Sequence, residues 1–97
     1  MQAYKKVEII IPRLESKHLI RLLDKHSING YSYLEGVKGR GDRGLQDGQG
    51  LSQAFSNAYF IIACSEAELE KITESLRDLL EDVGGICLVS DVHWLKH

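Results

Sequence analysis

The 97 residues hold one proline and two cysteines, and each shortage excludes something. Pro12 stands alone, so no proline-rich linker or polyproline ligand is present. Cys64 and Cys87 lack CxxC spacing, which argues against a zinc or thioredoxin-type site. Each lies in an apolar run and reads as a buried small hydrophobe in a reducing compartment. No apolar run approaches the ~18 residues of a membrane span, and the opening MQAYKKVEIII is too short for a signal peptide. A cytoplasmic protein without membrane insertion is expected. A formal net charge of −2 gives no case for non-specific nucleic-acid binding.

What the chain has in excess is glycine in one place. Six of the nine glycines fall between Gly36 and Asn57, with Lys38, Arg40 and Arg43 near the start of that stretch. No apolar period of 2 or 3.6 runs through it. Compact domains seldom carry structureless loops longer than ~12–15 residues, and those they keep are mostly functional. A glycine-dense loop with a basic base suits a segment that orders around an anion or a partner.

Around it the periodicities are plain. Residues 4–11 form a β-branched strand with Val7, Ile9 and Ile11 on one face, stopping at Pro12. Leu19, Leu22, Leu23 and His26, widened by Ile20, predict a helix over 16–26. Glu15 or Ser16 is placed to cap its start, and Asn29-Gly30 to supply a left-handed exit. Residues 31–37 alternate as a second strand, with Gly36 marking a bulge. Residues 58–64, AYFIIAC, are apolar at every position, which demands cover on both faces. Two helices can cover one face; a second copy of the chain is the economical cover for the other.

Ser65-x-x-Glu68 is a capping box opening a second helix, with Leu69, Ile72, Leu76, Leu79, Leu80 and Val83 as its apolar stripe. Gly84-Gly85 ends it with a left-handed cap, and residues 86–92 form a last strand. The order β-α-β-loop-β-α-β predicts an α+β, ferredoxin-like βαββαβ sandwich: one antiparallel sheet, both helices on one face, and a long loop between strands 2 and 3.

Three groups could carry chemistry. In Val37–Arg43, glycine backbone can approach an anion while Arg40 and Arg43 offer forked donors and Lys38 a point charge. A plain solvated loop explains the same residues equally well. Gly84-Gly85 reads first as a helix cap, and secondly as a place for close ligand approach. Of the histidines, only His93 and His97 have i, i+4 spacing, at a terminus where solvated side chains are the simpler account. No catalytic grouping can be assembled, so an enzyme is not expected.

Ile9-Ile10-Ile11-Pro12, Gly30-Tyr31-Ser32, Val37-Lys38-Gly39-Arg40-Gly41 before a long loop, and Gly85…Val89-Ser90-Asp91-Val92 together resemble the PII signal-transduction superfamily. The resemblance spans nearly the whole chain as a single PII-like domain, residues 1–97, and VKGxG is its most specific piece. It implies a homotrimer with an adenine nucleotide in each cleft between subunits. It also implies a T-loop, here about 38–57, that reorders with ligand and docks on a protein partner. Carried over, Ile9, Ser32, Lys38, Gly39, Arg40 and Gly41 would line the nucleotide cleft, Gly84 and Gly85 would approach it, and Arg43 would reach the phosphate or a second anion.

Three departures narrow the likeness. Ile86 stands where classical members have a lysine, the chain given ends where phosphate-holding arginines would begin, and the uridylylated tyrosine motif is absent. Losing charge-assisted contacts worth ~1.5–3 kcal/mol each disfavours ATP relative to AMP or ADP. The chain is most similar to divergent PII-like proteins of inorganic-carbon metabolism, carboxysome-associated or bicarbonate-transporter-associated. That implies AMP or ADP as ligand, bicarbonate as a second one, and a transporter or carboxysome-related partner. The alternatives are a metal-binding trimer of the cation-tolerance type, an RNA-recognition module stacking bases on Tyr59 and Phe60, and an amino-acid-binding regulatory domain.

Overall fold

The computed structural model describes residues 2–41, 44–45 and 56–95, with backbone only at 40–41 and 44–45. Its main sheet contains β1 (Gln2–Pro12), β2 (Tyr31–Val37), β5 (Asn57–Cys64) and β6 (Ile86–Trp94) in the order β2-β5-β1-β6, every pairing antiparallel. Two helices, α1 (Ser16–Lys25) and α2 (Glu66–Val83), pack on each other and on one face of the sheet. This is the expected ferredoxin-like plan.

Period-2 alternation decides which side chains meet those helices. Val7, Ile9 and Ile11 from β1 and Ala58, Phe60, Ile62 and Cys64 from β5 point to the helical face. They form one core with Leu19 and Leu23 of α1 and Ile72 and Leu76 of α2. Phe60 is its largest member, and Tyr33 stacks on it from β2 with centroids 4.8 Å apart and planes 10° from parallel. Burying each large aliphatic or aromatic side chain contributes roughly 1.5–3 kcal/mol.

The capping box forms as read. The Glu68 N–H donates to Ser65 Oγ at 3.1 Å, and the Ser65 N–H donates to Glu68 Oε1 at 2.8 Å. At the start of α1 the reading needs correction. Glu15 is the N-cap but makes no side-chain cap bond; its carboxylate engages His18 Nδ1 instead. Ser16 Oγ is buried with no hydrogen-bond partner.

The exit of α1 differs as well. The left-handed residue is Ser27, φ +58°, and neither Asn29 nor Gly30 has positive φ. The Ser27 N–H donates to the Asp24 carbonyl (3.0 Å) and the Ile28 N–H to the Leu23 carbonyl (2.9 Å), the paired bonds of a Schellman cap. Ile28 and Leu23 are both buried, so the cap is held by the core contact that accompanies the motif.

The glycine-rich stretch contains a second, small ladder. β3 (Arg40–Gly41) pairs with β4 (Gly44–Leu45), Arg40 opposite Leu45 and Gly41 opposite Gly44, where no regular structure was expected. The bulge is where it was read: register shifts between Glu35 and Val37, with Gly36 at φ +88°. Among the described residues, no helix is long and apolar enough to cross a membrane.

Candidate functional site

The residues singled out by sequence divide into those with a reason inside the chain and those without one. Gly84 has φ +76°, and its N–H closes α2 on the Leu80 carbonyl at 2.9 Å. A Cβ at Gly85 would stand 2.6 Å from the Ile10 carbonyl oxygen and 3.0 Å from Ile11 and Leu80 side-chain carbons. Both are therefore demanded by the α2-to-β6 turn lying tight against β1. Gly36 has its positive φ, and a Cβ at Gly30 would come within 3.0 Å of the Ala63 carbonyl oxygen.

Gly39 is different. Its φ lies outside the left-handed range, and a Cβ added there would meet none of the described residues within 4 Å. Among the glycines whose surroundings are described, neither backbone conformation nor packing explains this one. It follows the exposed Lys38 and leads into β3 at Arg40.

Ile9 is 0% exposed, its side chain taken up by the core, and the neighbour that faces away from the helices is Ile10. Ser32 lies opposite Ile61 on the open face, near the start of β2 and roughly 17 Å along that strand from Val37. Lys38 and Gly39 leave the far end of β2, one outer strand. Gly84-Gly85 enter β6, the other outer strand, at the same end of the sheet. Three strand spacings, roughly 14 Å, separate them. One copy of the chain does not bring these residues to a common point. Arg43 and His97 lie outside the described residues, as do residues 46–55 of the expected T-loop.

The sheet face turned away from the helices is broadly apolar. Leu34 (66% exposed), Ile61 (39%), Ile86 (47%) and Leu88 (60%) stand on it, with Ile10 and Tyr59 between them. Among the described residues β5 is therefore covered on one side only, and its Tyr59-Ile61-Ala63 side is open. Tyr59 donates to Glu8 Oε2 at 2.6 Å, and that bond, with some desolvation, raises its phenol above the ordinary tyrosine range. Phe60 is fully buried under the helices, so the aromatic pair an RNA-recognition surface would need is not displayed.

Lys5 reaches Asp91 Oδ1 at 2.5 Å and Glu66 Oε1 at 3.4 Å, tying β1 to β6 and to the start of α2. The hydrogen bond from Lys5 lowers Asp91, and the same bond raises Lys5. Cys64 is buried and Cys87 half-buried; both are free, and desolvation raises both thiols. Among the described residues, no group of three His, Cys, Asp or Glu side chains is placed to hold a metal ion.

Sequence reading missed the Glu8–Tyr59 contact. Its trace was the only acid of β1, beside an apolar run; the register sets it diagonal to Tyr59, which stands opposite Ile10.

No curated protein matches the chain. Among solved structures, CPII, a nitrogen regulatory PII-like protein from Thiomonas intermedia K12, bound to ADP, AMP and bicarbonate, is similar at 24% identity. The match covers 94% of this chain and 87% of that one, with a TM-score of 0.85. CPII bound to ADP and bicarbonate gives 24% identity over the same shares at a TM-score of 0.82. A PII-like signaling protein from Thermus thermophilus gives 22% identity, 93% and 87% coverage and a TM-score of 0.70. At these identities the likeness carries the fold. The family model described as Nitrogen regulatory protein P-II matches residues 4–97. The chain belongs to the P-II family.

Proposed function

We propose that this chain is a homotrimeric PII-like regulatory protein, not an enzyme, with residues 1–97 as one domain. Its intersubunit clefts bind an adenine nucleotide, AMP or ADP in preference to ATP, with bicarbonate as a second ligand. Its T-loop carries the signal to a protein partner, a transporter or a carboxysome-related component, in inorganic-carbon or nitrogen metabolism. The carrying observation is Gly39, a glycine that nothing among the described residues requires, between Lys38 and Arg40 at the base of the loop. Backbone that close to two cations suits the approach of an anionic ligand from outside the chain.

Four further facts favour this reading. The candidate residues leave opposite edges of one sheet, so a cleft between copies is where Lys38–Gly41 of one chain can meet Gly84-Gly85 of another. The open face with Leu34, Ile61, Ile86 and Leu88 gives such copies something to bury. The fold-level neighbour CPII is described with ADP, AMP and bicarbonate bound. A half-exposed Ile86 in place of a lysine removes one charge-assisted phosphate contact, which favours ligands with fewer phosphates.

The switch is a population shift. Ligand held by the Gly39 and Gly41 amides with Arg40 and Arg43 selects a subset of loop conformations, and its differential affinity sets the size of the response. Thermal denaturation with AMP, ADP, ATP, cyclic AMP and bicarbonate tests the reading. AMP and ADP are expected to raise Tm most, and no response to any adenine nucleotide refutes nucleotide sensing. Arg43→Ala is expected to weaken binding in calorimetric titration while leaving Tm of the free protein unchanged. The metal-binding alternative predicts tight copper uptake, which the burial of Cys64 and Cys87 disfavours.

A further inference from the structure

The open face of the sheet is broadly apolar and carries charge at one spot. Among the described residues that strand alternation places there, the charged ones are Lys6 and Glu8, neighbours on β1. They engage each other, with Lys6 Nζ 3.7 Å from Glu8 Oε1, and the Tyr59 hydroxyl donates to Glu8 Oε2 at 2.6 Å. Both carboxylate oxygens thus have partners from the same chain. On either side of Glu8 the register sets apolar residues, Ile61 on β5 and Leu88 on β6. Lys6 and Glu8 sum to zero charge, so an identical face can cover this one without net repulsion.

Apolar contacts alone are non-directional and tolerate sliding. A polar group covered by another subunit is costly when its partners are lost, so it disfavours every arrangement that displaces them. Single polar groups in apolar interfaces fix register and stoichiometry in this way, at some cost in affinity. We propose that Lys6, Glu8 and Tyr59 form the specificity element of the interface between copies of this chain, fixing how one open sheet face seats on another. The proposal rests on the assembly reading given above and adds which side chains determine its geometry.

The test is sedimentation velocity and native mass spectrometry of the full chain over a wide concentration range, with circular dichroism to confirm folding. Wild type is expected to give one discrete oligomer. Glu8→Leu leaves Lys6 without its carboxylate under cover and is expected to raise the dissociation midpoint at least about tenfold. Tyr59→Phe, which keeps the ring and serves if Glu8→Leu does not fold, is expected to raise it several-fold. The triple variant Lys6→Met, Glu8→Leu, Tyr59→Phe is expected to associate at least as tightly but as a mixture of stoichiometries. An oligomeric wild type with Tyr59→Phe unchanged in midpoint and the triple variant still a single species overturns the proposal alone. A monomeric wild type overturns the assembly reading and this proposal with it.

Discussion

Gly85 lies against the backbone of Ile10, with room for a hydrogen and not for a methyl: a Cβ would stand 2.6 Å from the Ile10 carbonyl oxygen. The contact locks the turn after α2 onto β1, immediately beside the Ile86–Ile10 pair that opens β6. Gly85→Ala is therefore expected to destabilise the free protein by ~1–3 kcal/mol, towards the upper end because the obstacle is backbone. Urea denaturation without ligand measures it. A variant as stable as wild type would show that the turn can move away at no cost.

Gly39→Ala should behave in the opposite way. Among the described residues nothing occupies the space its Cβ would enter, so the urea midpoint should stay within about 0.5 kcal/mol of wild type. If an anion is held there from outside the chain, nucleotide affinity should fall. Calorimetric titration beside the denaturation curve separates the two effects, and a loss of stability with unchanged affinity would reverse the roles of Gly39 and Gly85.

Ser27 carries a side chain at φ +58°, where L-residues pay roughly 1–2 kcal/mol that glycine does not. Some of that gain is lost to glycine's greater freedom in the unfolded chain. Ser27→Gly is expected to stabilise by about 0.5–1 kcal/mol, read as a higher Tm. A lower Tm would mean that the serine side chain stabilises the cap by more than its strain costs.

The Lys5–Asp91 pair gives stability a defined dependence on pH. Asp91 is lowered on folding, so its contribution is complete above the unfolded carboxylate value and disappears as pH falls through the folded one. Lys5 is raised, so its contribution holds below the unfolded lysine value and is lost as pH rises through the folded one. Asp91→Asn should be less stable than wild type at neutral pH and converge with it in acid. Asp91 is exposed and Lys5 partly so, so the difference should be small and shrink with salt. Urea midpoints across pH check this, and parallel curves down to the acid limb would dismiss the linkage.

Much of the frame was legible because it repeats with a simple period. Val7, Ile9 and Ile11 declared their shared face two residues apart, and Ser65 with Glu68 declared the start of α2. The exit of α1 was misread because Asn29-Gly30 has the composition of a cap, whereas the helix stops where Ile28 can be buried against Leu23. The ladder between β3 and β4 is two residues long, too short to leave any period. For the candidate site, Ile9 shows the tension between local rules and resemblance. Alternation put its side chain among Val7 and Ile11 in the core, while likeness to a family put it in a cleft. The proposal that Ser32, Lys38–Gly41 and Gly84-Gly85 share one site has no trace in one dimension. They converge only if a second copy closes the distance between sheet edges.

The order of strands in the sheet also bears on how the chain folds. Val37 pairs with Asn57, so the glycine-rich stretch is closed at its base by its own flanking strands. Before it lie β1, α1 and β2; after it lie β5, α2 and β6. All three ladders of the main sheet, β1 with β5, β1 with β6 and β2 with β5, join a strand from before the loop to one from after it. Neither half owns a hydrogen-bonded pair of that sheet, and α1 meets α2 across the same divide. The two halves are interleaved, and neither is a folding unit without the other. Folding must wait for the intervening stretch to close, at a cost that rises only about 0.6 kcal/mol for each doubling of its length. Once folded, the halves are held by strands and core, so a backbone cut between residues 46 and 55 would sever none of the ladders that join them.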